Sequence, residues 1–405
     1  MRIALVIFRS DPARGGAERY TTDLAAALAA RGLQPTIVSS AFDDSPAEGV
    51  ARARMDCSAP TRAAAYFRFL NGVERWVEAA RPDLVHAMLP IRRCDLYHPH
   101  AGIAAEEVAA GHRLQANPIA RALTWLGNRL NRKRNAFARV ERAMLEADPP
   151  PLVLCLSEYI RSALDRHYHL PDSSKVALVN GVDLARFDPA AENPDPLARF
   201  GIGEECVVAL LVAQDFSRKG VAEAIAAVAA AGDPRLRLVV VGGDDSRPLR
   251  DAIRAARMGG RVVFTGPADP RPFYQYADFF ILPTRHDPCS LVLLEALAMG
   301  MPCITTRQNG AAQVMTHGVH GFVVDSQQDA AGLAAAVKGM LDEPVRERMR
   351  QACRELRPSL RFESHVEKLL EAYRLAVARR QGGARGARGD ASGSRGDAGE
   401  TRHRH

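Results

Sequence analysis

The sequence predicts an α/β fold made of two doubly wound parallel sheets, each covered by helices on both faces. Two series of short apolar runs alternate with longer helical patterns, which is the signature of parallel sheets buried on both sides. A turn-rich and proline-rich stretch, "NGVDLARFDPAAENPDP" (180–196), separates the series and lacks a sustained period. The chain of 405 residues, 47% hydrophobic and 25% charged, is long enough for two such domains.

The first series opens with "IALVIF" (3–8), a buried strand, followed by a Gly-rich turn and the helix "AERYTTDLAAALAARG", which stops at Gly32. Next come the strand "PTIVS" (35–39), a helical 60–80, "DLVHAM" (83–88), "DLYHPH" (95–100), "LVLCLS" (152–157) and "VALV" (176–179). The second series contains "VVALLVA" (207–213), "LRLVVVGG" (236–243), "RVVFTG" (261–266), "DFFILP" (278–283), "PCITT" (302–306) and "GFVVD" (321–325). The expected organisation is 1–179 and 180–360 as the two sheet domains, 361–380 as a helix returning to the first, and 381–405 as a Gly/Arg/Ser tail without structure. Ligands of such folds sit outside the carboxyl ends of the strands, so the residues just after each strand carry the functional question.

Composition excludes several classes. The seven cysteines are scattered, with no C-x-x-C pair, which fits a reducing compartment rather than zinc or redox work. The N-terminal apolar run is shorter than a signal-peptide core, and no stretch approaches the ~18 apolar residues of a membrane span. A net charge of +7 would suit nucleic acid, but aromatic residues are sparse and no recognised binding module occurs. A nicotinamide site would need G-x-G-x-x-G after the first strand, where the chain reads "GGAER".

Glu295 is the sharpest signal. It interrupts "SLVLLEALAMG", a short helix with Ser290 at its expected N-cap and Gly300 at its stop. An unpaired buried carboxylate is costly, so Glu295 needs an internal cation or a ligand offering donors, such as a vicinal diol. Asp287 lies in the preceding turn and can face the same volume with the amides near Cys289, Ser290 and Leu291. The alternative is structural, with Asp287 capping the helix and Glu295 paired internally. Arg218 and Lys219 stand before Gly220 at the start of an Ala-rich helix, where cations and unpaired amides together favour phosphate. Gly15 and Gly16 occupy the equivalent place in the first half and permit close backbone approach, to a ligand or simply in a tight turn. His98 and His100 follow a strand of the first half, either packed or facing the cleft. No D-x-D metal motif occurs, and no metal or cofactor is expected.

Residues 113–142 carry eight cations against one acid, Glu141, with apolar side chains between them. Trp125, Arg129, Arg132, Lys133 and Arg134 would suit an anionic membrane surface. A solvated helix packing its apolar stripe on its own domain is the alternative.

Taken with "GGAER", "LSEYI", "NGVDLARF", "RKG", "FTG", "DPCSLVLLEALAMGMPCITT" and "HGFVV", the chain resembles glycosyltransferase family 4, the retaining GT-B enzymes, over roughly residues 1–375. "DFSRKG" and "DLYHPHAGIAAEE" are similar to its lipopolysaccharide core glucosyltransferase branch. The resemblance implies that Asp287 and Glu295 fill an E-x7-E motif, that Glu295 binds a ribose, and that Asp287 and the following amides face the donor sugar. It implies Lys219 at the diphosphate, Gly15 and Gly16 beside it, and His100 at the transferred sugar. The base would be read by backbone near Phe264 to Gly266, with UDP as the nucleotide. The first acid is Asp rather than Glu, Ser290 replaces the usual Gly, and Gln214 replaces an Arg that Arg218 could substitute. The implied activity is metal-independent hexosyl transfer from a nucleotide-sugar to a glycan or glycolipid such as a lipopolysaccharide core. A GT-B epimerase or glycogen-type synthase is the alternative. The implied place is the cytoplasm, peripheral on the inner membrane, with no nucleic acid partner.

Overall fold

The computed structural model describes residues 1–13, 15–43, 47–107 and 132–392. A seven-stranded sheet contains β1 (Arg2–Val6), β2 (Gln34–Ser39), β3 (Ala51–Arg54), β4 (Leu84–Ala87), β5 (Leu96–Tyr97), β6 (Leu152–Cys155) and β7 (Lys175–Ala177), in spatial order 3-2-1-4-5-6-7. A six-stranded sheet contains β8 (Val207–Val212), β9 (Leu236–Val241), β10 (Val262–Gly266), β11 (Phe279–Leu282), β12 (Cys303–Thr306) and β13 (Gly321–Val324), in order 10-9-8-11-12-13. All named pairs are parallel. In both sheets the order reverses beside the first strand, so each has a switch-point crevice at its carboxyl edge.

The central strands β4, β6 and β11 are buried along their whole length, which is why they read as apolar runs, broken only by His86 in β4. β3 is the exception. Its sequence "ARAR" is half exposed at the sheet edge, so no apolar period marks it, and its charges suit an unpaired edge.

The helices are α1 (Gly16–Ala29), α2 (Arg62–Ala80), α3 (Arg132–Leu145), α4 (Glu158–His167), α5 (Phe216–Lys219), α6 (Val221–Ala231), α7 (Arg250–Ala255), α8 (Arg271–Tyr276), α9 (Leu291–Ala298), α10 (Ala330–Gly339), α11 (Glu343–Leu356) and α12 (Phe362–Ser392). Side-chain caps fix several starts. Thr61 accepts from the Ala64 amide, and Asp342 accepts from that of Val345.

The join at 180–196 packs rather than dangles. Arg357 donates to the carbonyls of Leu184 and Phe187, Gln275 donates to that of Ala191, and Phe187 is buried. From there α12 crosses back to the first sheet. Val366, Leu369, Tyr373 and Ala376 share a core with Ile3, Leu5, Leu28 and Leu84, and Phe362 donates its amide to Val182 O. α12 continues to Ser392, which corrects the expectation of a structureless segment from 381. The remainder of that segment, 393–405, lies outside the described residues. Among the described residues no helix is long and apolar enough to cross a membrane.

Candidate active site

Two helix starts face each other across the crevice between the sheets. α1 follows β1, with Gly15 extended before it, and α9 follows β11. A methyl group on Gly16 would lie 3.1 Å from Leu291 Cδ1, so the missing side chain lets the two starts approach. Each end leaves its first amides without intrahelical partners and carries partial positive charge, so the pair favours an anion between them.

Lys219 enters this crevice from the end of β8. Asp215 caps α5 by accepting from the Arg218 amide at 2.9 Å. Gly220 then adopts φ +80°, and a Cβ there would fall 2.2 Å from Pro283 O, so the chain can turn into α6 beside β11 only with glycine. This turn aims the buried Lys219 at Asp287. Its ammonium hydrogen-bonds the Asp287 carboxylate, and Arg218 Nη1 lies 3.6 Å from the same oxygen. Burial pushes the Lys219 ammonium below its ordinary value, against the pull of Asp287. Burial would raise Asp287, but Lys219 and Arg218 outweigh it and hold the carboxyl below its usual range. Lys219 and Asp287, assigned to different parts of a ligand from the sequence, therefore form one buried ion pair.

Glu295 lies one turn into α9 and is 8% exposed. Tyr274 on α8 donates to its Oε2 at 3.1 Å, and no cation among the described residues is within ion-pair distance. Burial drives its carboxyl up to about 7, opposed by the Tyr274 hydrogen bond and by Arg19 of α1. An acceptor held so near neutrality gains from any ligand that brings O–H donors.

Between the two acids, the Cys289 carbonyl accepts from Asn180 Nδ2 (3.2 Å), and burial pushes the Cys289 thiol up to about 12. Ser290 does occupy the N-cap position of α9, but its Oγ makes no cap hydrogen bond and is buried without a partner among the described residues. Its amide donates to Asn309 Oδ1 at 3.3 Å. Ser290 thus stands at the N-cap position as expected but makes no side-chain cap, and Asn309, brought in from after β12, takes its amide.

On the opposite wall, His98 is fully buried and bonds His86 (Nδ1 to Nε2, 3.2 Å), which itself meets Tyr373 OH of α12 at 2.8 Å. His100 stacks obliquely on Tyr20 of α1 at 4.3 Å between ring centroids, and its Nε2 is buried without a partner among the described residues. Burial lowers both imidazoles, His100 to about 3, so they are neutral donors and acceptors rather than cations. Phe264 and Gly266 end β10. Phe264 packs on Phe216 (5.7 Å), and Gly266 O accepts the Gly242 amide at 3.1 Å.

Trp125 and Arg129 lie outside the described residues, and for Arg132 and Lys133 the description stops at their place in α3. Further along α3, Ala136 and Val140 are buried and Phe137 stacks on Tyr66 at 4.1 Å, so this part of the apolar stripe packs on its own domain. Arg134 is half-buried at the start of that stretch.

Sequence reasoning overlooked Tyr274, Asn309 and His286. His286 stood in the same short stretch as Asp287, and an imidazole beside a site carboxylate was a usable signal. Tyr274 and Asn309 gave none, since each reaches the site from another element.

The sequence profile of Glycosyltransferase Family 4 matches residues 14–186, and that of Glycosyl transferases group 1 matches residues 197–356. A glycogen synthase of Mycobacterium tuberculosis is 28% identical over 380 residues, covering 85% of this chain and 87% of that protein. The crystal structure of WaaG, a glycosyltransferase involved in lipopolysaccharide biosynthesis, superposes with a TM-score of 0.79 at 21% identity, over 91% of this chain and 98% of that one. HepE from Anabaena, in complex with UDP and glucose, gives 0.68 at 16% identity, over 92% and 99%. Both likenesses are of fold.

Proposed function

Since the chain belongs to glycosyltransferase family 4 and is built on the GT-B fold, we propose that it moves a hexose from a UDP-linked donor to a glycan or glycolipid such as a lipopolysaccharide core. The observation that carries this reading is Glu295: a buried carboxylate with no cation at ion-pair distance among the described residues, eight residues after an acid that is paired to a lysine at two facing helix starts.

On this reading Glu295 accepts the two ribose hydroxyls. The diphosphate enters between the starts of α1 and α9, and Lys219 exchanges Asp287 for phosphate oxygen. The bond from the anomeric carbon to phosphate oxygen breaks, and its electron pair leaves with the diphosphate. Lys219, Arg218 and the helix amides take up that charge, so the reading needs no metal ion. Asp287, freed from Lys219, stabilises the positive charge on the sugar ring. The acceptor hydroxyl forms the new bond on the same face and yields its proton to the departing phosphate, which retains configuration. Phe264 to Gly266 place backbone groups for the base, and His100 offers a neutral imidazole to the sugar.

The first test is thermal shift against UDP, GDP, ADP, CMP and NAD, with Glu295→Ala in parallel. A saturable shift with UDP, lost in the variant, supports the reading; no shift with any nucleoside diphosphate contradicts it. Transfer that persists in EDTA supports a metal-independent step. A glycogen-type synthase is the second reading, favoured by the glycogen synthase relative that spans most of the chain. Elongation of an α-glucan primer in preference to a glycolipid would establish it, whereas release of free sugar without acceptor would point to an epimerase. Attachment to anionic lipid through the Arg132–Lys133–Arg134 end of α3 belongs to the same proposal, and flotation that is indifferent to anionic lipid would remove it.

A further inference from the structure

The segment His286–Ser290 carries Asp287, and three side chains from outside the second sheet hold it. Ser157 Oγ donates to Pro288 O at 2.7 Å, Tyr159 OH meets His286 Nδ1 at 2.6 Å, and Asn180 Nδ2 donates to Cys289 O at 3.2 Å. Ser157, Asn180, His286 and Cys289 are all buried. Backbone of the first half also lies against this segment. Gly102 has φ +94°, and a Cβ there would fall 2.6 Å from His286 Nε2 and 3.4 Å from Pro288 Cγ.

We infer that Ser157 and Tyr159 of the first half, with Asn180 at the join, are positioning residues that set the loop bearing Asp287, so the sugar site takes shape only while the two halves are in contact. The inference rests on the donor reading above. The second half alone supplies Arg218 to His286 O (3.0 Å) and the Asn309 turn to the Asp287 backbone, which leaves the carbonyls of Pro288 and Cys289 to these outside donors. The serine hydroxyl does two things at once. It donates to Pro288 O while accepting from the Ile160 amide at 3.3 Å, which ties the loop to the start of α4. Burial keeps His286 below its ordinary value, so the Tyr159 hydroxyl pairs with the Nδ1 of a neutral ring. A reacting group displaced by ~1 Å loses about two orders of magnitude in rate, so small slippage of this loop would be visible in turnover.

The test uses full-length Tyr159→Phe and Ser157→Ala, with Ser157→Thr as the variant that keeps the hydroxyl. Amide hydrogen exchange of the ligand-free proteins is followed over 286–291 and over β11 as the internal control. UDP release from UDP-glucose gives kcat and KM, and thermal shift gives UDP binding. The expected result is exchange over 286–291 faster by about tenfold with β11 unchanged. It is accompanied by a kcat lower by about tenfold at a KM and UDP shift close to wild type. Ser157→Thr should restore both readouts. Unchanged exchange over 286–291, a rise spread over both segments, or a kcat equal to wild type in Tyr159→Phe would overturn the inference. If the wild type neither binds UDP nor turns over UDP-glucose, the donor reading falls, and the exchange comparison still decides the role of these side chains.

Discussion

Glu141 and Glu295 are both buried carboxylates, and only their donors distinguish them. Glu141 on α3 has no exposed surface; its two oxygens accept the Ala104 amide at 2.5 and 3.1 Å, and the Ala105 amide and Tyr97 hydroxyl also hydrogen-bond its carboxyl. Glu295 is also buried, with one phenol on one oxygen. Burial raises both, Glu141 to about 8 and Glu295 to about 7. The sequence suggests the reverse contrast, because Glu141 stands among cations and looks solvated whereas Glu295 stands in an apolar helix. A buried acid is therefore no mark of function in itself. An acid whose acceptor capacity the protein leaves unused is a better one.

Asp287 offers the strongest way to break that rule, because its nearest partner is a removable lysine, with Arg218 3.6 Å away on the same oxygen. Lys219→Ala should cost ~3–5 kcal/mol by urea denaturation, since it strands a buried carboxylate, and Lys219→Met with Asp287→Leu should recover most of the loss without recovering transfer. A single variant as stable as wild type would show that water already relieves the pair. Next in size, Glu295→Ala should weaken UDP binding by about 100-fold, the equivalent of two lost charge-assisted hydrogen bonds at ~1.5 kcal/mol each, without lowering stability. Titration calorimetry reads the first and thermal melting the second.

Glu141→Ala should behave the opposite way, with ~1–3 kcal/mol of stability lost because the Ala104 amide is left unpaired, and UDP affinity unchanged. The smallest effect is in pH. Glu295 is raised on folding, so its protonated form is favoured, and the stability it contributes is full below about 4.5 and lost as pH rises through about 7. Glu295→Gln should therefore melt ~2–4 °C above wild type at pH 8 and converge with it near pH 5. UDP affinity should rise from pH 6 to 8 in wild type, as the carboxylate forms, and stay flat in the variant. Convergence at both pH values would mean that Glu295 is not desolvated.

The fold was legible because parallel strands buried on both faces must be apolar throughout, and twelve of the thirteen strands correspond to runs visible in the sequence. β3 escaped because an edge strand needs no such run. In the candidate site, the positions of Gly15, Gly16, Lys219, Asp287 and Glu295 beyond β1, β8 and β11 were legible, since the crevice of a doubly wound sheet has a fixed address. Their pairings were not. Lys219 and Asp287 are 68 positions apart, and Tyr274 comes from a different helix than Glu295, so no local spacing encodes either contact. Ser290 shows the limit of local rules: a good capping residue type sits at the cap position, yet its hydroxyl makes no cap hydrogen bond, and its amide goes to Asn309 from another element.

The central claim is that Glu295 waits for the ribose of a nucleotide-sugar, and a crystal structure with UDP bound tests it most directly. The account predicts both ribose hydroxyls within hydrogen-bond distance of the Glu295 carboxylate, and Lys219 moved from Asp287 to a phosphate oxygen. UDP bound elsewhere, or Lys219 still paired to Asp287 with the diphosphate in place, would contradict it.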